Sequence, residues 1–143
     1  MPIDKILVRR KLNLIAQDLE RLKTLSHLSL KEYLRKYENE ILAERFLERL
    51  IGRMIDINYH LISELGHLVP KDYFESFLKL GQLKILPPEL ARVLARSAGL
   101  RNRLAHEYNE IDEIKVYQAI KDCFRDLPPY INRINLFLRK VKP

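Results

Sequence analysis

The chain has 143 residues, 47% of them hydrophobic and 31% charged, a balance that supports one packed core over residues 1–143 and excludes a disordered chain. Lys and Arg number 26 against 19 Asp and Glu, for a formal charge of +7, and a surface of that sign attracts phosphates, which makes nucleic acid an admissible partner. One cysteine, Cys123, excludes an internal disulfide, no run approaches the ~20 apolar residues of a membrane span, and the N-terminus Met1-Pro2-Ile3-Asp4 does not read as a signal peptide. A cytoplasmic protein that contacts no membrane is expected.

From Asp4 to Leu25 the apolar residues Ile6, Leu7, Leu14, Ile15, Leu19, Leu22 and Leu25 recur at helical spacing, opposite a basic face. Ser29-Leu30-Lys31-Glu32 reads as a capping box, which starts a short helix through Tyr37. The stretch from Asn39 to Leu65 carries Leu47, Leu50, Ile51, Met54, Ile55, Leu61, Ile62 and Leu65 at spacings of three and four, and Gly66 supplies a stop. After Pro70, Asp72 can cap a helix holding Tyr73, Phe74, Phe77 and Leu80, which Gly81 would end.

Pro87-Pro88 followed by Glu89 suits a helix start, and that helix is predicted to run from near Pro88 to Tyr108. Asp112 caps a further helix through about Phe124; Pro128-Pro129 interrupts the pattern, and a last helix carries Ile131, Ile134, Phe137, Leu138 and Val141. With no alternating strand pattern, repeat or linker, the expected fold is all-α, an antiparallel bundle of five to six helices.

On an ideal helix, Arg101 falls on the stripe of Leu90, Leu94, Leu104, Ala105 and Tyr108, which otherwise faces inward. A guanidinium there must meet a carboxylate, line a polar cleft or face a phosphate-bearing ligand. Asn102 and His106 share one face, while Arg101 and Tyr108 share another roughly 140° away. One straight helix does not converge them; a distortion near His106, or a second copy packed across a two-fold axis, would. The geometry therefore favours a homodimer with a composite site.

Arginine and histidine without clustered carboxylates suit metal-independent work on a phosphodiester. Arginine grips phosphate oxygens, histidine relays protons near neutrality, and RNA carries its own 2′-hydroxyl nucleophile. In that scheme Arg101 and His106 are catalytic, with Asn102 and Tyr108 supporting them. The bland alternative is a histidine favoured by a helix C-terminus and a tyrosine with its ring in the core. His27, His60 and His67 lack metal-ligand spacing, no cofactor pattern is present, Asp56 with Arg53 and His60 reads as a polar network along one helix, and Arg139, Lys140 and Lys142 read as solvated.

The spacing of Arg101, Asn102, His106 and Tyr108 resembles the signature of HEPN domains. The wider run Gly99-Leu100-Arg101-Asn102-Arg103-Leu104-Ala105-His106-Glu107-Tyr108 with Ile111-Asp112, and Pro70, Tyr73, Phe77 and Gly81 upstream, resembles the HepT-like branch across nearly the whole chain. The resemblance implies an all-α homodimer that acts as the ribonuclease toxin of a toxin–antitoxin pair. Its partner would be a minimal nucleotidyltransferase (MNT) antitoxin that silences it by adding AMP to Tyr108. A non-catalytic module that docks a nucleotidyltransferase or a nucleotide is the alternative.

Overall fold

The computed structural model of the chain describes residues 3–106 and 111–141. Asp4 opens the first helix, α1 (Lys5–Ser26), by accepting the Leu7 amide at 3.0 Å, and the stripe Val8, Leu12, Ile15, Leu22 and Leu25 is buried. The capping box of α2 (Leu30–Arg35) is formed in both directions: Ser29 Oγ accepts the Glu32 amide at 3.1 Å, and Glu32 accepts the Ser29 amide at 2.9 Å. α3 (Tyr37–Glu64) buries Leu47, Leu50, Ile51, Met54, Ile55, Leu61 and Ile62. Gly66, at φ +80, then lets the amides of Gly66 and His67 turn back onto the carbonyls of Ser63 and Ile62, the left-handed stop that glycine favours.

α4 (Tyr73–Gln82) starts at Asp72, which accepts the Glu75 amide at 2.8 Å. Gly81 does not end this helix, as the sequence suggested. It lies buried within α4, where an added Cβ would stand 2.8 Å from Ala91 Cβ, so its missing side chain permits the close approach of α5 (Pro88–Ala95). Lys84 makes the stop instead, at φ 61, with the Lys84 and Ile85 amides bonded to the carbonyls of Gly81 and Leu80.

Two further expectations are corrected. The helix predicted from Pro88 to Tyr108 is two helices, α5 and α6 (Ser97–His106), parted at Arg96. Ser97 Oγ bonds the Leu94 carbonyl at 2.6 Å and so satisfies one of the carbonyls left free where α5 ends. Conversely, α7 (Glu113–Lys140) runs unbroken through Pro128 and Pro129. Both prolines are exposed, while Cys123, Leu127, Tyr130 and Ile134 stay buried on the inner side. Leu127, Tyr130 and Ile134 each contribute ~1.5–3 kcal/mol by burial, together of the same order as the ~3 kcal/mol that each of the two interior prolines costs.

Paired residues fix the topology. Asp4 meets His60, Lys11 meets Asp56 and Asp18 meets Arg53, so α1 runs antiparallel to α3. Lys5 reaches the Val141 carbonyl and Tyr117 the Leu28 carbonyl, so α1 is also antiparallel to α7. α3 is the spine, touching α1, α2, α4, α6 and α7.

A buried polar relay ties three helices together. The Tyr130 hydroxyl lies 2.8 Å from Asn58 Oδ1, Asn58 Nδ2 donates to Ser76 Oγ at 3.1 Å, and Ser76 donates to the Tyr73 carbonyl at 2.7 Å. Every member is satisfied, which is the condition for such groups to be tolerated in a core. Cys123 is buried, as expected of a small apolar residue, and burial pushes its thiol up to about 12. No helix among the described residues is long and apolar enough to cross a membrane.

Candidate active site

α6 starts at Ser97 and carries the motif. Leu104 and Ala98 turn into the core, Arg101 is half-buried, and Asn102, Arg103 and His106 are exposed. Arg101 and His106 are five residues apart on one helix, roughly 140° around its axis. α6 thus presents its arginine and its histidine to different sides. Tyr108 lies outside the described residues.

Arg101 resolves the question its position raised. Its guanidinium carbon sits 5.4 Å from the centroid of the Tyr73 ring, a cation–π contact, and Tyr73 in turn meets Tyr59 edge-on at 6.0 Å and 87°. The buried relay of Tyr130, Asn58 and Ser76 ends on the Tyr73 carbonyl and so fixes the start of α4 beneath the guanidinium. Burial, then the neighbouring Tyr73, Asp72 and Glu75, raise the Tyr59 phenol above its ordinary range, which keeps this platform neutral. Arg101 Nε is buried with no hydrogen-bond acceptor among the described residues.

The guanidinium borders an open hollow of about 250 Å³ between α3 and α6, lined by Arg45, Glu48, Arg49, Gly52, Arg53, Asp56 and Arg101. Of the three settings expected for an inward arginine, it is the polar cleft that the structure provides. Behind it, α1 supplies Asp18, whose side chain is fully buried. Asp18 accepts Arg53 Nη1 at 2.6 Å and Arg21 Nη1 at 2.8 Å, and forms an ion pair with Arg49 Nε at 3.1 Å.

The network expected of Arg53, Asp56 and His60 is therefore not local to one helix. Each member reaches across to α1: Arg53 to Asp18, Asp56 to Lys11 at 3.3 Å, and His60 Nε2 to the Asp4 amide at 3.0 Å. Among the described residues, no three of His, Cys, Asp and Glu gather closely enough to hold a metal ion.

Sequence reasoning missed Asp18, the arginine ladder of α3 and the role of Tyr73. Two signals were available. Asp18 occupies a position in the otherwise apolar stripe of Ile15, Leu22 and Leu25, and Arg45, Arg49 and Arg53 recur every fourth residue.

A family model described as ribonuclease HepT-like matches residues 15–134. The chain belongs to the HepT-like family. It is 40% identical over 136 residues to the tRNA nuclease HepT of Aphanizomenon flos-aquae, an alignment that covers 95% of this chain and 92% of that protein. A putative RNase of Archaeoglobus fulgidus is 35% identical over 93 residues, covering 65% of this chain and 70% of the other. The enzyme class of this HepT-like chain is accordingly ribonuclease.

The same bundle recurs in solved structures. A Shewanella oneidensis HEPN toxin, tri-AMPylated and in complex with an MNT antitoxin, superposes with TM-score 0.81 at 21% identity, covering 91% of this chain and 97% of that one. A chain of a toxin–antitoxin structure with AMP-PNP gives TM-score 0.84 at 20% identity, covering 92% and 99%. At that identity the likeness is one of fold.

Proposed function

We propose that this HepT-like chain is a metal-independent endoribonuclease, the toxin of a toxin–antitoxin pair, whose catalytic residues are Arg101 and His106 at the interface of a homodimer. The observation that supports this most is the setting of Arg101, a half-buried guanidinium seated on Tyr73 with its Nε left without an acceptor beside a basic hollow. A planar donor fork held in that way suits a phosphate oxygen.

The reaction needs no external nucleophile. The RNA 2′-hydroxyl attacks the adjacent phosphorus, the bond to the 5′-oxygen breaks, and the products are a 2′,3′-cyclic phosphate and a free 5′-hydroxyl. His106 moves a proton off the attacking oxygen or onto the leaving one, Arg101 holds the non-bridging oxygens as charge develops, and Asn102 orients phosphate or imidazole. Since α6 turns Arg101 and His106 to different sides, a two-fold partner that brings its own α6 across would offer an arginine and a histidine to one cleft.

The antitoxin in this reading is a separate nucleotidyltransferase that silences the chain at Tyr108. The tyrosine oxygen attacks the α-phosphorus of a nucleoside triphosphate, pyrophosphate leaves, and the phenolic proton is released. AMP so attached would crowd the cleft and compete for its cations. The Shewanella relative, described as AMPylated and bound to an MNT antitoxin, supports the expectation.

The test uses purified protein, pooled tRNA and EDTA. Cleavage to cyclic-phosphate ends is expected to persist in the chelator and to fall by ~10²–10⁴ in His106→Ala; unchanged cleavage in that variant would remove the assignment. A non-catalytic docking module is the second reading, and the exposed Leu68, Val69 and Phe74 around the start of α4 favour it. It predicts no cleavage by the wild-type chain at all.

A further inference from the structure

We propose that the hollow between α3 and α6 is a binding subsite for the RNA phosphodiester backbone, built by Arg45, Arg49, Arg53 and Arg101 and set in place by the buried carboxylate of Asp18. The proposal rests on the ribonuclease reading for its ligand. Its structural basis is independent of whether His106 is catalytic.

The excess of cations is the first argument. Taking a carboxylate out of water costs several kcal/mol, and a single well-oriented guanidinium with its paired donors can offset that. Asp18 instead gathers three arginines, with Oδ2 shared between Arg53 Nη1 and Arg49 Nε and Oδ1 given to Arg21. Arg49 meets Asp18 through Nε at 3.1 Å, and its 34% exposed side chain lines the hollow. The carboxylates that line the same space are engaged elsewhere or at its rim: Asp56 meets Lys11, and Glu48 lies 3.6 Å from Arg45.

Shape is the second. Arg45, Arg49 and Arg53 stand one turn apart along α3, a ladder about 12 Å long at 1.5 Å per residue, which suits a run of nucleotides better than one phosphate. Gly52 lies among them, and a Cβ there would meet nothing within 4 Å, so the floor is open. Arg101 closes the far wall with its buried Nε lacking an acceptor among the described residues, which places the ladder directly beside the arginine assigned to the scissile phosphate.

Binding is read with a fluorescent 2′-O-methyl RNA oligonucleotide, which lacks the attacking hydroxyl and so reports affinity apart from cleavage, titrated into the wild-type chain over a range of salt. Arg45→Ala, whose ion pair among the described residues is with Glu48, is expected to bind on the order of tenfold more weakly. It should lower the slope of log K against log salt by about one and leave the melting temperature unchanged. Arg45→Lys should recover most of the affinity. Asp18→Asn is expected to weaken binding through Arg49 and Arg53 at once; should it fail to fold, Arg45→Ala with Arg49→Gln carries the test.

Wild-type affinity and salt slope in those arginine variants would overturn the proposal, whether or not the chain cleaves RNA. So would capture of 5′-AMP without the oligonucleotide, or loss of a dimer in Arg45→Glu with RNA binding intact. Weakened binding in a chain that never cleaves RNA would leave the subsite standing and refute the catalytic reading instead.

Discussion

Arg101 rests on an aromatic ring, and that support determines how its substitution should behave. A cation–π contact contributes only ~0.5–1 kcal/mol to stability at a partly exposed site, so Arg101→Lys is expected to melt close to the wild type while cleaving RNA at least tenfold more slowly, because an ammonium cannot reproduce the planar fork. The reverse pattern, a large drop in melting temperature with cleavage intact, would make Arg101 a structural residue. Lys84 gives a cleaner test of backbone chemistry. It occupies a left-handed position that costs a β-carbon-bearing residue ~1–2 kcal/mol, so Lys84→Gly should raise stability by about 0.5 kcal/mol after the added freedom of the unfolded chain is counted. Gly81→Ala should lower it by ~1–3 kcal/mol through the clash with Ala91, as denaturant midpoints would show.

At the scale of elements, the start of α7 carries a pH-sensitive joint. Glu113 accepts the Tyr33 hydroxyl at 2.9 Å and faces Glu44, with Glu40 and Asp112 nearby. Burial first, then the hydrogen bond shared with Glu44, push its carboxyl up to about 7, while Tyr33 pulls the other way. The folded state therefore holds this proton more tightly than the unfolded chain does. Its stabilisation is full below the ordinary carboxylate range and is lost as pH rises toward 7, after which the loss is constant. Partial exposure limits the effect to about 1 kcal/mol. Glu113→Gln is expected to remove that decline between pH 5 and about 7 and to melt higher than the wild type at pH 8; a parallel pH profile for the two proteins would contradict it.

The elements that were legible in the sequence are those fixed by local chemistry. Ser29 with Glu32, Asp72, Asp112 and Gly66 each act on amides or carbonyls a few residues away, so their effect is written in the neighbouring sequence. The break at Arg96 was not, because the apolar period of α5 and α6 continues across it. Nor was the continuity of α7: prolines at 128 and 129 end a helix on local grounds, and only the tertiary anchoring of Leu127, Tyr130 and Ile134 overrides them. The candidate site divides in the same way. Arg101 and its neighbours stand out as a spaced motif, whereas Asp18, Arg49 and Arg53 are joined across 31 and 35 positions of chain, which no window of sequence reveals.

For the whole molecule, helices α1, α3 and α7 pack on one another, and α6, mounted on α3, turns Arg101 and His106 to two sides. The proposed site calls for a second copy because, among the described residues, α6 turns His106 away from the side on which Arg101 borders the hollow. A composite site makes a specific demand on mixtures of inactive subunits. A heterodimer of Arg101→Ala with His106→Ala has both lesions in one cleft and an intact arginine and histidine in the other. Mixing the two variants under conditions that exchange subunits, and following cleavage of tRNA, tests the shared site most directly. The account predicts that each variant alone is inactive and that the mixture recovers a substantial fraction of wild-type cleavage. A mixture as inactive as its parents, beside an active wild-type protein, would contradict it.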